Sequence, residues 1–183
     1  SKGERMKKLF ILCCLMLTLP AGAQAADEKI DPSNFICAEL VAISSTSGQP
    51  PLFEGLQIDG YAAAAQGKAV ADPDIMAPLL EQVYAACQAK PTEKVVTLWQ
   101  EARKNQPVTA DGPWRADKTT CKDYKANEDD GSGFVIWLDG YNRQKSGKPG
   151  SVLESDDTLK AYLDACSKKP EALMLDVMRE SVK

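Results

Sequence analysis

A cysteine frame that occurs twice constrains this 183-residue chain more than any other feature. Cys37 and Cys87 are 50 positions apart, and Cys121 and Cys166 are 45 positions apart. The second cysteine of each pair lies in a similar segment, Ala86-Cys87-Gln88-Ala89-Lys90-Pro91 or Ala165-Cys166-Ser167-Lys168-Lys169-Pro170. These four cysteines allow three pairings among themselves. The repeat favours one of them, with a Cys37–Cys87 bridge and a Cys121–Cys166 bridge.

A second landmark also occurs once in each half of the chain. Ile58-Asp59-Gly60-Tyr61 and Leu138-Asp139-Gly140-Tyr141 both precede the second cysteine, and their glycines indicate close helix packing. We therefore predict two related units, residues 26–105 and residues 119–183, joined by a linker over residues 106–118. Each bridge would close a loop of about 50 residues, worth roughly 4 kcal/mol in the loop-entropy model. Units this small benefit from such a covalent link.

Both units have apolar residues at helical spacing. Asp72 and Asp74 offer start signals for a helix in the first unit with Pro73 in its first turn, and Ser155 or Asp156 caps the matching helix in the second. The predicted apolar faces are Ile75, Leu79, Leu80, Val83 and Cys87 in the first unit, and Leu159, Tyr162, Leu163 and Cys166 in the second. A last helix follows in each unit.

The last helix of the first unit is predicted over the segment from Val95 to Ala102, after Pro91. In the second unit we expect Pro170 to open the terminal helix. Alternating strand patterns are scarce. The sequence thus predicts an all-α fold of two tandem small helical bundles, each stapled by one disulfide.

An aromatic stripe distinguishes the second unit from the first. Phe134, Trp137, Leu138 and Tyr141 lie at offsets 0, 3, 4 and 7, which is the spacing of one helix face. The first unit has Glu54 and Gln57 where Phe134 and Trp137 stand in the second. Such a stripe is more often core than binding surface, and we keep both interpretations.

The N-terminal residues predict export from the cytoplasm. Lys7 and Lys8 precede an 11-residue apolar run, Leu9–Leu19, and the small-residue site Ala23-Gln24-Ala25 follows. This order is typical of a signal peptide, and the run is shorter than the roughly 20 residues of a membrane-spanning helix. We expect cleavage after Ala25, a periplasmic protein and no membrane insertion afterwards. Four cysteines then remain, which suits disulfides in an oxidising compartment.

Composition argues against several classes of function. The chain has no histidine, which excludes imidazole catalysis and histidine-ligated zinc. Its net charge of −4 disfavours a nucleic-acid partner. The paired Cys-x-x-C spacing of a zinc site is absent, and Glu128-Asp129-Asp130-Gly131 lacks the ligand spacing of a calcium loop. We therefore expect no catalytic residue, no metal and no cofactor.

The quoted motifs resemble those of the HdeA/HdeB family of periplasmic acid-stress chaperones. In the second unit these are Thr120-Cys121-Lys122-Asp123-Tyr124, then Trp137-Leu138-Asp139-Gly140-Tyr141, then Cys166 followed by Pro170. The first unit is similar to the same module and begins with Ile36-Cys37-Ala38-Glu39-Leu40. Family members are single-domain proteins that dimerise near neutrality, whereas this chain has two copies of the module.

The resemblance implies a non-enzymatic, ATP-independent chaperone that holds unfolded or acid-denatured periplasmic proteins at low pH. It also implies that the stripe Phe134, Trp137, Leu138 and Tyr141 serves the unit interface and client binding. We expect a monomer whose units form an intramolecular pseudo-dimer, or else a homodimer. The alternative function is a non-enzymatic envelope binding protein, such as an inhibitor or assembly factor, that reuses the fold.

Acid can act on this chain only through its carboxylates. Removal of residues 1–25 takes away four of the 22 basic residues and one of the 26 acidic ones, leaving 18 and 25, a net charge of −7. Protonation of all carboxylates moves this charge to about +18. Self-repulsion would then favour separation of the units.

Overall fold

The computed structural model describes residues 29–107 and 112–183. The predicted signal peptide lies outside these described residues. Within them the backbone forms eight α-helices, a single 3₁₀ turn at Pro73–Ile75 and no strand. The helices are α1 Cys37–Ser47, α2 Leu52–Ala65, α3 Met76–Gln88, α4 Val95–Lys104, α5 Cys121–Ala126, α6 Glu128–Ser146, α7 Asp156–Ser167 and α8 Met174–Ser181. The predicted all-α fold is confirmed.

The two halves share their covalent frame. Disulfides join Cys37 to Cys87 and Cys121 to Cys166, as the repeat predicts. In the first half the bridge links α1 to α3, and in the second it links α5 to α7. The structure thus contains two helical modules, each stapled by one disulfide.

Equivalent backbone hydrogen bonds begin the first helix of each half. The amide of Cys37 donates to Glu93 O at 2.9 Å, and the amide of Cys121 donates to Ala172 O at 2.9 Å. One residue later, Ala38 N donates to Pro91 O and Lys122 N to Pro170 O. Because the same bonds form at matching positions, the internal repeat extends from the sequence to the local structure.

Most predicted helix starts lie where the sequence places them. The Asp72 side chain accepts from Asp74 N at 3.0 Å and caps the 3₁₀ turn that leads into α3. Ser155 caps α7 by accepting from Thr158 N at 3.1 Å. The predicted start of the terminal helix at Pro170 is wrong, because α8 begins at Met174. The Pro170 carbonyl instead accepts the Lys122 amide, which keeps this segment in a turn.

The two units pack through their central helices. Ile58 and Ala62 of α2 belong to the core of the first unit, whereas Ala63 and Ala64 of the same helix belong to the core of the second. Leu56 packs against both cores. Helix α2 therefore contributes side chains to two hydrophobic cores, one on each side, and α6 is its principal neighbour.

The described part of the predicted linker lies against the first unit. Ala71 N donates to Trp114 O at 2.9 Å, and Ala116 N donates to Ala69 O at 2.8 Å. These two bonds hold residues 114–116 antiparallel to residues 69–71. Across residues 29–107 and 112–183, no helix has the length and apolar character that a membrane crossing requires.

Candidate functional site at the interface of the two units

Two glycines bring α2 and α6 into backbone contact. A Cβ atom on Gly60 would overlap the carbonyl oxygen of Trp137, and a Cβ atom on Gly140 would overlap the carbonyl oxygen of Gln57. Gly60 and Gly140 occupy matching positions of the repeated Asp-Gly-Tyr motif. The helices therefore cross where each has a residue without a side chain, and the predicted close packing at these glycines is confirmed.

The aromatic stripe of α6 is buried beside this crossing. The exposed fractions of Phe134, Trp137, Leu138 and Tyr141 are 4%, 1%, 0% and 7%. Ring centroids are 5.8 Å apart for Phe134 and Trp137, and 5.3 Å apart for Trp137 and Tyr141. Trp114, from the predicted linker, extends the row with its ring 5.3 Å from Phe134. In this closed form the stripe belongs to the core, and its client-binding role stays a prediction.

Asp59 connects three helices through its buried carboxylate. Its Oδ1 accepts from Trp99 Nε1 at 2.8 Å and from Arg103 Nε at 2.7 Å, both on α4. Its Oδ2 accepts from a second nitrogen of Arg103 at 3.1 Å and from Trp137 Nε1 at 2.9 Å. The side chains of Asp59 and Arg103 are 0% and 1% exposed. Trp137 is thus bound to the charged centre of the other unit.

Asp139, the matching residue of the second unit, has different partners. Its carboxylate accepts from Ser151 Oγ at 2.7 Å and from Val152 N at 2.8 Å, so it fixes the segment before α7. Burial raises the pKa of Asp139 above its usual value, although these hydrogen bonds and the nearby Arg143 favour the charged form. Of the two matching aspartates, only Asp59 therefore connects the two units through its side chain.

Residues near the start of the described chain cross onto the second unit. The Ile30 amide donates to Gln57 Oε1 at 3.1 Å, and Arg143 on α6 donates to the Ile30 carbonyl. Lys29 forms a salt bridge with Glu154 at 2.6 Å. These contacts join the N-terminal segment to α2, α6 and the loop before α7.

Glu54 and Gln57 occupy the positions of the first unit that match Phe134 and Trp137 of the second. Both side chains are buried, with exposed fractions of 5% for Glu54 and 0% for Gln57. Both ends of the Gln57 amide group are hydrogen-bonded. Its Nε2 donates to Phe53 O at 3.2 Å, and its Oε1 accepts from the backbone amide of Ile30. The two copies therefore fill matching positions of the interface differently, with aromatic rings on one side and a hydrogen-bonded amide on the other.

Sequence reasoning missed Asp59, Trp99, Arg103 and Trp114 as members of this site. One signal was available: Trp99 and Arg103 are four positions apart and so lie on one face of α4. A buried tryptophan and an arginine on one face indicate a buried anionic partner, because an arginine is seldom buried without one. Nothing local in the sequence assigns Asp59 as that partner.

The chemistry of the interface is that of a structural junction. Four donor contacts engage both oxygens of Asp59, so the carboxylate is occupied in the closed form. Throughout the described part of the chain, no group of three or more cysteine, aspartate or glutamate side chains is arranged to hold a metal ion. What this arrangement can do is hold the two units together around a buried charge.

Comparison with known proteins supports the resemblance of the first unit to the HdeA/HdeB family; the family resemblance of the second unit stays a prediction. The model of the HdeA/HdeB family matches residues 6–97, half of the chain, which include the first unit up to the start of α4. No curated protein and no solved structure matches the chain. The chain belongs to the HdeA/HdeB family, which is known for periplasmic acid-stress chaperones.

Proposed function

We propose that this protein is an exported, ATP-independent chaperone that holds unfolded periplasmic proteins at low pH. The observation that carries the proposal is the aromatic row of α6, which is buried at the junction of two units that are separately stapled. Opening this junction would expose Phe134, Trp137, Leu138 and Tyr141 without breaking either disulfide. Apolar burial is non-directional, so such a surface binds clients of varied sequence.

Charge supplies the trigger in this proposal. The protein without residues 1–25 is acidic at neutral pH and strongly cationic once its carboxylates are protonated. Like charges on the two units then repel each other, and the same charge keeps client complexes soluble. The disulfides limit how far each unit unfolds, which preserves a helical surface in acid.

Asp59 makes the junction sensitive to loss of negative charge. The Arg103 guanidinium, which is buried at the same place, depends on this carboxylate as its counter-charge. A buried charge that loses its partner is strongly destabilising, by about 3–5 kcal/mol. Loss of the Asp59 charge by substitution therefore weakens the contact to Trp137 and leaves Arg103 buried without its counter-charge.

The acid aggregation assay tests the activity directly. Protein purified from the periplasm should suppress light scattering by an acid-denatured client at pH 2.5 and should have little effect at pH 7. A hydrophobic dye should bind much more strongly at pH 2.5 than at pH 7. Equal protection at both pH values, or none at pH 2.5, would contradict the proposal.

A covalent lock tests whether separation of the units is required. Gly133 on α6 faces Leu56 on α2, with a Cβ at position 133 lying 3.6 Å from Leu56 Cδ1. We propose replacing both residues with cysteine and joining them with a short bifunctional thiol reagent. The crosslinked protein should fold at pH 7 yet lose client protection at pH 2.5.

The matched control is the same double variant with each new thiol capped singly. It has the same substitutions and added groups but leaves the units free to part, so it should retain protection. Peptide mapping must show that the two native disulfides are intact in both samples. Full protection by the crosslinked protein would show that clients bind without opening of the α2–α6 junction.

A further inference from the structure

Two neighbouring hollows share part of their walls. The larger, about 860 Å³, lies between the end of α1, the start of α2 and the start of α3. The smaller, about 400 Å³, lies at the junction of the units beside Trp114 and Phe134. Pro73 and Met76 border both hollows, so the two are neighbours. We call this feature the Pro73 groove; its apolar walls include Leu52, Met76, Leu80, Tyr84 and Trp114.

An exposed leucine lies on the wall of the larger hollow. Leu52, at the start of α2, is 50% exposed and is the one large apolar side chain exposed to this degree in the described ranges. Met76 and Leu80 line the same hollow and are otherwise buried. The larger hollow thus presents an apolar surface that reaches solvent, as interaction sites do.

The charged side chains of the groove have a single sign. Glu81 borders the larger hollow, and Asp72 and Asp130 border the smaller one. Among the described residues that line the two hollows, none is lysine or arginine. A cleft lined by one sign of charge concentrates its potential and attracts ligands of the opposite sign.

We propose that the Pro73 groove docks an extended, apolar polypeptide segment carrying a lysine or arginine while the two units are still closed. Two neighbouring hollows offer places for several side chains of one segment. The apolar walls provide burial, and Glu81 beside the larger hollow and Asp130 beside the smaller one favour a cationic residue. The inference rests on the proposed function only for the source of the segment, an unfolded client.

Peptide binding at pH 7 tests the groove apart from acid activation. One fluorescein-labelled probe is an apolar decapeptide with two lysines, and the other has glutamates at those two positions. The lysine peptide should bind at least about fivefold more tightly at low ionic strength, and salt should reduce this ratio. Leu52→Ser should weaken binding of the lysine peptide, because it shortens the apolar wall.

Charge reversal within the groove provides the sharper comparison. Glu81→Lys should weaken binding of the lysine peptide by at least about fivefold and improve binding of the glutamate peptide. The control is Glu171→Lys, which makes the same change in net charge at an exposed position that does not line the groove. Its affinities should stay within about twofold of the unaltered protein.

Other outcomes would overturn the proposal. Equal affinity for both peptides, or equal effects of Glu81→Lys and Glu171→Lys, would show that the groove does not select a cationic segment. Self-association at pH 7 that Leu52→Ser abolishes would identify a second copy as the occupant instead. If no peptide binds at pH 7 while client protection at pH 2.5 is intact, the groove proposal is refuted and the proposed chaperone function is not. Selective peptide binding without acid protection supports the groove and defeats the proposed chaperone function.

Discussion

The indole nitrogen of Trp137 and the carboxylate of Asp59 form a 2.9 Å hydrogen bond between the two units of one chain, 78 positions apart. The acceptor is already held on its other side by Trp99 and Arg103. This bond therefore connects the aromatic row of the second unit to the buried ion pair of the first. Any substitution that removes the Asp59 charge acts on both units together.

Asp59→Asn should lower the free energy of unfolding at pH 7 by about 3–5 kcal/mol, because Arg103 stays buried without its counter-charge. Urea denaturation followed by tryptophan fluorescence measures this change. Asp164→Asn is the control, since Asp164 pairs with Lys160 at the surface and should change stability by less than about 1 kcal/mol. Equal effects of the two substitutions would refute the central role of Asp59.

Gly60→Ala should destabilise the junction by at least about 3 kcal/mol, because the new Cβ meets the backbone of Trp137 and the helices must move apart. Gly133→Ala in α6 is the matched control, because its Cβ makes only an ordinary contact with Leu56. Alanine favours a helix over glycine by about 1 kcal/mol, so Gly133→Ala should be neutral or stabilising. Similar losses in the two variants would mean that the α2–α6 crossing is looser than described.

Asp139 should oppose acid unfolding. Burial raises its pKa in the folded state, so the folded protein binds this proton at a higher pH than the unfolded chain does. Stability from this residue therefore increases as the pH falls through the raised pKa toward the ordinary value of 3.8. The unfolding free energy of the unaltered protein relative to Asp139→Asn should rise over that interval. If the difference in unfolding free energy between the two proteins stayed constant from pH 7 to pH 3.5, the predicted increase would be contradicted.

Asp31 should show the opposite dependence. Burial acts to raise its pKa, but hydrogen bonds from Ser33 and Asn34 outweigh that effect and hold the pKa below its usual value. Its contribution to stability is complete above the unfolded-state pKa and disappears as the pH falls through the lowered one. The stability difference between the unaltered protein and Asp31→Asn should therefore shrink between about pH 5 and pH 2. NMR titration of the Asp31 carboxyl checks the same shift directly.

Loss of one disulfide should weaken its own unit first. Cys121→Ser with Cys166→Ser should cost about 2–5 kcal/mol of stability and leave the Cys37–Cys87 bridge intact. Urea denaturation of the double variant measures the loss.

The disulfide connectivity can be checked separately on the unaltered protein. Non-reducing peptide mapping should recover only the two bridges within units, and a bridge between units would contradict the tandem arrangement.

The sequence predicts the all-α class because helices depend on local spacing, and it predicts both disulfides because the cysteine frame occurs twice. The Ser155 cap of α7 and the helix after Asp72 follow from side chains next to the helix start. Pro170 was a misleading signal, since a proline suits a turn as well as the first turn of a helix. Its carbonyl accepts the amide of Lys122, a partner far away in the sequence.

The junction of the units was only partly predictable. The glycines and the aromatic stripe indicate a packed face, yet the ion pair joins Asp59 to Arg103 across 44 positions. Trp114 lies in a segment whose composition predicts a linker, and its ring completes the aromatic row. Such contacts depend on how two modules dock, which the periodicity within each module does not encode.

Tethering the two units changes how their separation responds to dilution. When separate chains pair, halving the protein concentration shifts the balance toward the open form. Units on one chain keep an effective local concentration that dilution does not change. Under the proposed function, the midpoint pH of opening should thus be independent of how much protein the cell makes, and each molecule could close again at neutral pH without finding a partner.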